Sequence, residues 1–260
     1  MIIPAVFLLF GLVLGSFLNV CICRMPRDLS VVRPRSRCPA CSHPIRWFDN
    51  IPLLSWLLLG GRCRYCQTSI SWRYPAVEAA TAALFCLAGI LWGPSLEAVK
   101  LSTFFFLLVG LIASDLETRI LPDEFTLGGL LAGLAATAAA PFDNSLLRLL
   151  WTEANPRFVS LAEAAFSAMT AGGVLWLVGV VYERVRHREG LGFGDVKMVA
   201  MIGAFLGLQK TLLVVLLGCL AGTVLGMVYI LVARKNFSTY QLPFGSFLGV
   251  AAAIVALFNP

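Results

Sequence analysis

The chain is 260 residues long, 59% apolar and only 13% charged, with a net charge of +6. Soluble domains are about half apolar and about a quarter charged. This composition excludes disorder, a collagen-like chain and a secreted disulfide scaffold. It leaves too few charges to cover a water-soluble enzyme, so the expected class is a polytopic membrane protein.

A membrane-crossing helix needs roughly 20 mostly apolar residues. In chain order such stretches fall at 2–23, 76–92, 96–113, 125–140, 159–181, 196–208, 211–232 and 242–258. The expected fold is therefore all-α, with about eight transmembrane helices. The sixth stretch is short, and only Gln209-Lys210 separates it from the seventh. The first resembles a secretory signal in position, but it lacks a basic start. Its Arg24-Met25-Pro26 end is no small-residue cleavage site, so a retained helix is predicted. The Ala-rich run 132–140 suits close helix packing.

Placing the N-terminus outside puts sixteen of the 20 Lys and Arg residues in inside segments: nine Arg in 24–73, Arg119, four in 182–197, then Arg234 and Lys235. Lys100, Arg148, Arg157 and Lys210 fall outside. That asymmetry predicts a periplasmic N-terminus and an even number of spans. The basic balance thus reports topology, with anionic lipid as the partner. No basic stripe carries interleaved aromatics, so no nucleic-acid partner is expected. The expected organisation is a first helix (1–23), a cytosolic insert (24–74) and a transmembrane core (75–260). No internal repeat is read in the chain.

The insert carries Cys38-Pro-Ala-Cys41 and Cys63-Arg-Tyr-Cys66. Two C-x2-C turns at this separation match a zinc-site spacing. Four thiolates would complete a tetrahedron and leave no open position, so Zn2+ would be structural. An insert this small gains from a metal staple. The alternatives are two unrelated reduced pairs, or a redox C-x-x-C, which lacks its usual strand–helix setting here. Cys21, Cys23, Cys86 and Cys219 sit in apolar stretches and read as small hydrophobes. His43 and His187 read as ordinary polar residues.

Only 14 acidic residues exist. Asp115 follows an apolar run, and Asp195 closes Gly192-Phe193-Gly194-Asp195. By the topology above both lie at the same cytosolic depth, where ionisable groups are functional candidates. Paired carboxyls share one proton and can hydrolyse a peptide bond: one activates water, the other polarises the carbonyl. The glycines before Asp195 allow close backbone approach. The alternative for each is an N-cap or interfacial anchor. Pro122-Asp123-Glu124 reads as a helix first turn. Glu78 reads as a cap charge or a substrate contact. No H-E-x-x-H and no G-x-S-x-G is present, which argues against a zincin and a nucleophile-elbow serine hydrolase. Gly245-Ser246 reads as a small-residue helix entry.

Together these residues resemble the type IV prepilin peptidase family of GxGD-type aspartic membrane proteases. The resemblance runs through Gly15-Ser16-Phe17-Leu18-Asn19-Val20, the cysteine quartet, Asp49-Asn50-Ile51-Pro52-Leu53-Leu54-Ser55-Trp56, and Arg73-Tyr74-Pro75-x-Val77-Glu78. It continues through Asp115, Leu121-Pro122-Asp123 and Gly192-x-Gly194-Asp195-x-Lys197. It implies that Asp115 and Asp195 are the catalytic pair, supported by Gly192, Gly194, Lys197, Pro122, Asp123 and Glu78. It implies prepilin and pseudopilin substrates with a basic leader, cut after Gly at the cytosolic face of the bacterial inner membrane. Retention of all four cysteines implies a second activity, N-methylation of the new terminus with S-adenosylmethionine, in which Gly61 resembles a family position. A basic leader and a basic insert repel, so the leader is expected to meet Asp123, Glu124 or Asp49, and the basic face to meet lipid headgroups. Rival readings are a transporter or scaffold with proton-relaying aspartates, and a membrane thiol oxidoreductase.

Overall fold

A computed structural model of the chain describes residues 2–143, 145–149, 151–187, 190–232 and 242–258. Arg188, Arg234 and Lys235, used above to orient the chain, lie outside the described residues. Each predicted apolar stretch forms one helix: α1 (Ile2–Arg24), α3 (Arg73–Trp92), α4 (Leu96–Thr118), α5 (Asp123–Ala139), α6 (Pro156–Arg186), α7 (Phe193–Leu206), α8 (Leu208–Val232) and α9 (Phe244–Phe258). A short helix, α2 (Leu54–Leu58), lies in the insert. Among the described residues the only β-pairing is two isolated bridges, both in the insert.

The count of full-length spans needs correction. Of the described helices, α1, α3, α4, α6 and α8 are long and apolar enough to cross a membrane. Helices α5, α7 and α9 hold 17, 14 and 15 residues. At 1.5 Å per residue, 14 residues reach about 21 Å, short of the roughly 30 Å hydrocarbon core. Backbone punctuation bounds α5 and α7. Pro122 starts α5, and Gly207, at φ +77°, ends α7. The α7–α8 break is therefore at Gly207 rather than at Gln209-Lys210, both of which lie inside α8. Glycine alone adopts that conformation without strain, and its N–H closes the helix on the Gly203 carbonyl at 3.0 Å.

The chain divides into two compact units, Met1–Ala113 and Ser114–Pro260. In the first, α1 packs along α3. A Cβ on Gly11 would sit 2.7 Å from the Ala82 Cα, and one on Gly15 would sit 2.9 Å from the Glu78 Cα. Two glycines four residues apart thus let the backbones touch, the usual route to tight packing where lipid offers no hydrophobic drive. Buried Asn19 crosses the same seam and donates to the Tyr74 carbonyl at 3.0 Å.

In the second unit α7 packs on both α5 and α6, and α8 packs on α9. Thr137 on α5 donates to the Ala204 carbonyl on α7 at 2.9 Å, and Gly203 lies against the backbone of Ser167 and Ala168 on α6. Helix α6 begins with Asn155 capping the Arg157 N–H at 3.0 Å and Pro156 as its first residue.

Candidate functional site

Asp115 lies one turn before the end of α4. Arg119, at φ +60°, stops the helix and turns the chain into Leu121-Pro122. The Asp115 carboxyl is buried, and its Oδ2 accepts two hydrogen bonds from one residue: the Ser246 N–H and the Ser246 hydroxyl, each at 2.7 Å. Ser246 is in the first turn of α9, where N–H groups have no helical acceptor and a carboxylate is favoured.

Asp195 sits in the first turn of α7 and is partly buried. Its N–H donates to the Gly192 carbonyl at 3.1 Å, which sets the turn. It lies within electrostatic reach of Asp115. A Cβ on Gly245 would stand 3.2 Å from Asp195 Oδ1, and one on Gly192 would stand 3.2 Å from Asp195 Oδ2. The start of α9 therefore lies beside both carboxyls: Ser246 bonds Asp115, and Gly245 leaves room for Asp195, where a side chain would crowd it.

Leu121 packs against the starts of both α7 and α9. Leu121 fills the space that a Cβ on either Gly194 or Gly245 would claim, 3.1 Å from each position. Pro122 is buried and opens α5. Asp123 in its first turn pairs with Lys197 of α7 at 2.6 Å, and Lys197 also lies 4.9 Å from the Phe193 ring centroid. Asp115, Asp195, Gly192, Gly194, Pro122, Asp123 and Lys197 thus belong to one compact unit. Gly245 and Ser246 belong with them and were read from sequence only as a helix entry. The available signal was the Pro243 start, which the alternation of the helices puts at the same end as Asp115.

Glu78, Gly61 and the cysteines belong to the first unit. Glu78 is buried on α3. It accepts from the Leu53 N–H at 2.8 Å and bonds the Ser16 side chain of α1. Leu53 has φ +60° and ψ −51°, and the Leu54 N–H bonds the Pro52 carbonyl at 2.6 Å. This is a strained γ-turn, and Glu78 is the group that holds it.

The two cysteine turns share one backbone plan. In the first, the Cys38 N–H bonds the His43 carbonyl at 2.9 Å, the Ser42 N–H bonds the Cys38 carbonyl at 2.9 Å, and Ile45 pairs back with Ser36. In the second, Cys63 bonds Thr68 at 2.9 Å, Gln67 bonds Cys63 at 3.0 Å, and Ile70 pairs back with Gly61. Ser42 and Gln67 take the same positive φ, 57° and 58°. This internal repeat, Arg-Cys-x-x-Cys-x-x-x-Ile at 37–45 and 62–70, was not read in the sequence. His43 stacks on Tyr65 of the other turn, with ring centroids 3.6 Å apart.

The four sulfurs lie within 4.8 Å of one another, and Cys38 and Cys66 are 3.7 Å apart. Zn–S bonds of about 2.3 Å in a tetrahedron give S···S spacings of about 3.8 Å, so these thiols fit one such ion. The backbone N–H of Cys41 lowers Cys38. The Thr68 hydroxyl and N–H pull Cys66 down to about 6. Cys41 goes to about 11: the His43 N–H pulls it down, but burial and the neighbouring thiols outweigh that bond. Crowded thiols that cannot all ionise alone suit a dication. Beside them Arg64 forms a bidentate pair with Asp49, Nη2 to Oδ1 at 2.6 Å, which holds the Asp49 carboxyl below its usual range.

A cleft of about 430 Å³ also opens along α1 between Val13 and Arg24, walled by residues 31–32, 34–36 and 50–52.

Residues 9–92 match the profile of the bacterial peptidase A24 N-terminal domain, and residues 102–227 that of the type IV leader peptidase family. The prepilin leader peptidase/N-methyltransferase of Aeromonas hydrophila is 37% identical over 275 residues, covering 96% of this chain and 89% of its own. The proteins of that name from Myxococcus xanthus and Dickeya chrysanthemi are 44% and 35% identical, covering 89% and 97% of this chain and 64% and 91% of their own. No solved structure matches the chain.

Proposed function

The chain belongs to the type IV leader peptidase family, and from that membership we propose that it is a membrane endopeptidase that removes the leader of prepilins and pseudopilins and N-methylates the new terminus. Asp115 and Asp195 are assigned as its catalytic pair. The observation that carries this is the convergence of both carboxyls on Gly245-Ser246 within one compact unit.

Paired carboxyls that face one reacting group share one proton. The ionised carboxyl takes a proton from water as it attacks the scissile carbonyl, and the protonated carboxyl donates to the carbonyl oxygen. Ser246 fixes the orientation of Asp115, and the turn from Gly192 fixes Asp195. A substrate helix must unwind to present its peptide bond, and the freed backbone needs partners. The missing side chain of Gly192 leaves room for the Asp195 carboxyl, and that of Gly194 makes room for Leu121. The bond cut follows a Gly, at the cytosolic face of the inner membrane, with the N-terminus periplasmic as the basic-residue asymmetry favours.

Zn2+ is assigned to the cysteine quartet as a structural ion that fixes the two turns of the insert. S-adenosylmethionine supplies the methyl group. It is a net cation, so the cleft along α1, with Arg24 and Arg35 and no carboxylate in its lining, does not fit its sulfonium, and no step is assigned there. Gly61 supports methylation through shape: a Cβ there would lie 2.8 Å from the Trp56 ring.

The test follows substrate mass with purified protein in lipid, beside Asp115→Asn and Asp195→Asn. Loss of the leader by the parent and by neither variant supports the assignment; a loss on the order of 10³-fold is expected for each. A gain of one methyl mass with S-adenosylmethionine supports the second activity. A folded, metal-loaded protein that leaves every leader intact would move the transporter or scaffold reading to the front.

A further inference from the structure

The cleft along α1 changes chemistry along its length. Val13, Phe17 and Val20 share one face of the helix, and Val13 and Phe17 are 64% and 45% exposed. Arg24 and Arg35 close the other end. The Arg24 guanidinium donates to the Ser30 carbonyl at 2.9 Å and the Pro34 carbonyl at 2.8 Å. These bonds fix its place without neutralising its charge. Among the described residues no carboxylate pairs with Arg24 or Arg35. Between Arg24 and Arg37 the sequence holds five arginines against Asp28 alone. The same loop exposes Leu29 and Val32, at 56% and 77%.

Distance agrees with charge. Val13 to Arg24 spans about 16 Å along the helix, close to the roughly 15 Å depth of one leaflet of hydrocarbon. The volume lies within the roughly 300–1,000 Å³ range of small-molecule sites. We propose that this cleft binds one anionic phospholipid, its phosphate between Arg24 and Arg35 and an acyl chain along Val13, Phe17 and Val20. The site selects net negative charge over a zwitterionic headgroup, because two arginines face it and no carboxylate does. Its occupant ties the Leu29–Val32 loop, the entry to the cysteine insert, to the membrane surface. The proposal is independent of the peptidase reading.

The full chain is reconstituted in vesicles of equal phosphatidylglycerol and phosphatidylcholine, extracted into mild detergent, and weighed by native mass spectrometry. One phosphatidylglycerol is expected to remain bound, in preference to phosphatidylcholine. Arg35→Gln should weaken its retention about fivefold, with the unfolding temperature unchanged, since Arg35 is exposed. Arg24→Lys keeps the charge and should keep the preference. Equal retention of both lipids overturns the proposal. So does an unaltered preference in Arg35→Gln, or displacement of the lipid by S-adenosylmethionine or an acidic peptide.

Discussion

Ser246 gives both its backbone N–H and its hydroxyl to a single oxygen of Asp115, each at 2.7 Å. A hydrogen bond to a charged group contributes about 1.5–3 kcal/mol, and here one of the two survives removal of the hydroxyl. Ser246→Ala should therefore lower kcat for leader removal by up to about tenfold and leave KM near its parent value. A matching rise in KM would assign Ser246 to substrate binding instead.

Gly245→Ala should cost more than Ser246→Ala. Its Cβ would press on Leu121 at 3.1 Å and on Asp195 Oδ1 at 3.2 Å, displacing the carboxyl rather than loosening it. Misplacing a reacting group by about 1 Å can cost on the order of 10²-fold. Unchanged turnover in a folded Gly245→Ala protein would remove α9 from the site.

Purified protein should carry one zinc per chain, and Cys63→Ser should carry much less, because Cys63 is a buried member of the quartet. Stripping the metal should open the 24–72 segment to proteolysis while the apolar helices stay protected. Reversible disulfides with no bound zinc would instead favour the thiol oxidoreductase.

Gly61 has φ +66° and packs against the Trp56 ring, whose Nε1 donates to the Ile70 carbonyl at 3.2 Å. Gly61→Ala adds both backbone strain and a clash, at a cost of about 1–3 kcal/mol. Methylation should fall more than cleavage, together with zinc retention. Lost methylation at full zinc occupancy would point to direct contact with the methyl-transfer reaction.

Asp49 and Asp123 already have basic partners, Arg64 and Lys197. Of the three acidic residues expected to meet a basic leader, Glu124 is the one with no ion pair among the described residues. Glu124→Lys should raise KM for the prepilin by about two- to fivefold with kcat held, and Lys-to-Gln changes in the leader should abolish that difference.

The Arg64 guanidinium holds the folded Asp49 carboxyl below its unfolded value. The stabilisation is therefore full above the unfolded pKa, near 3.9, and is lost as pH falls through the folded one. Asp49→Asn should lower the unfolding temperature of the insert at pH 7, and the gap to the parent should close below about pH 4. A gap independent of pH would show that Asp49 acts by packing.

Composition and spacing determined the class, the eight apolar helices, the cysteine quartet and the two aspartates. Each is a local signal, since apolar runs, C-x2-C turns and rare charges are written in neighbouring residues. Even the repeat at 37–45 and 62–70 was available as four identities in nine positions. Tertiary structure decided what joins distant segments. Asp115 and Ser246 are 131 residues apart in the chain, and nothing local in Pro243-Phe244-Gly245-Ser246 marks it as the element beside both carboxyls. Glu78 is likewise an ordinary carboxylate near the start of a helix until the Leu53 γ-turn is seen to rest on it. Helix lengths fell on the same side: hydropathy found the apolar cores, but the breaks at Pro122 and Gly207 bound two of them, α5 and α7, below the thickness of a bilayer.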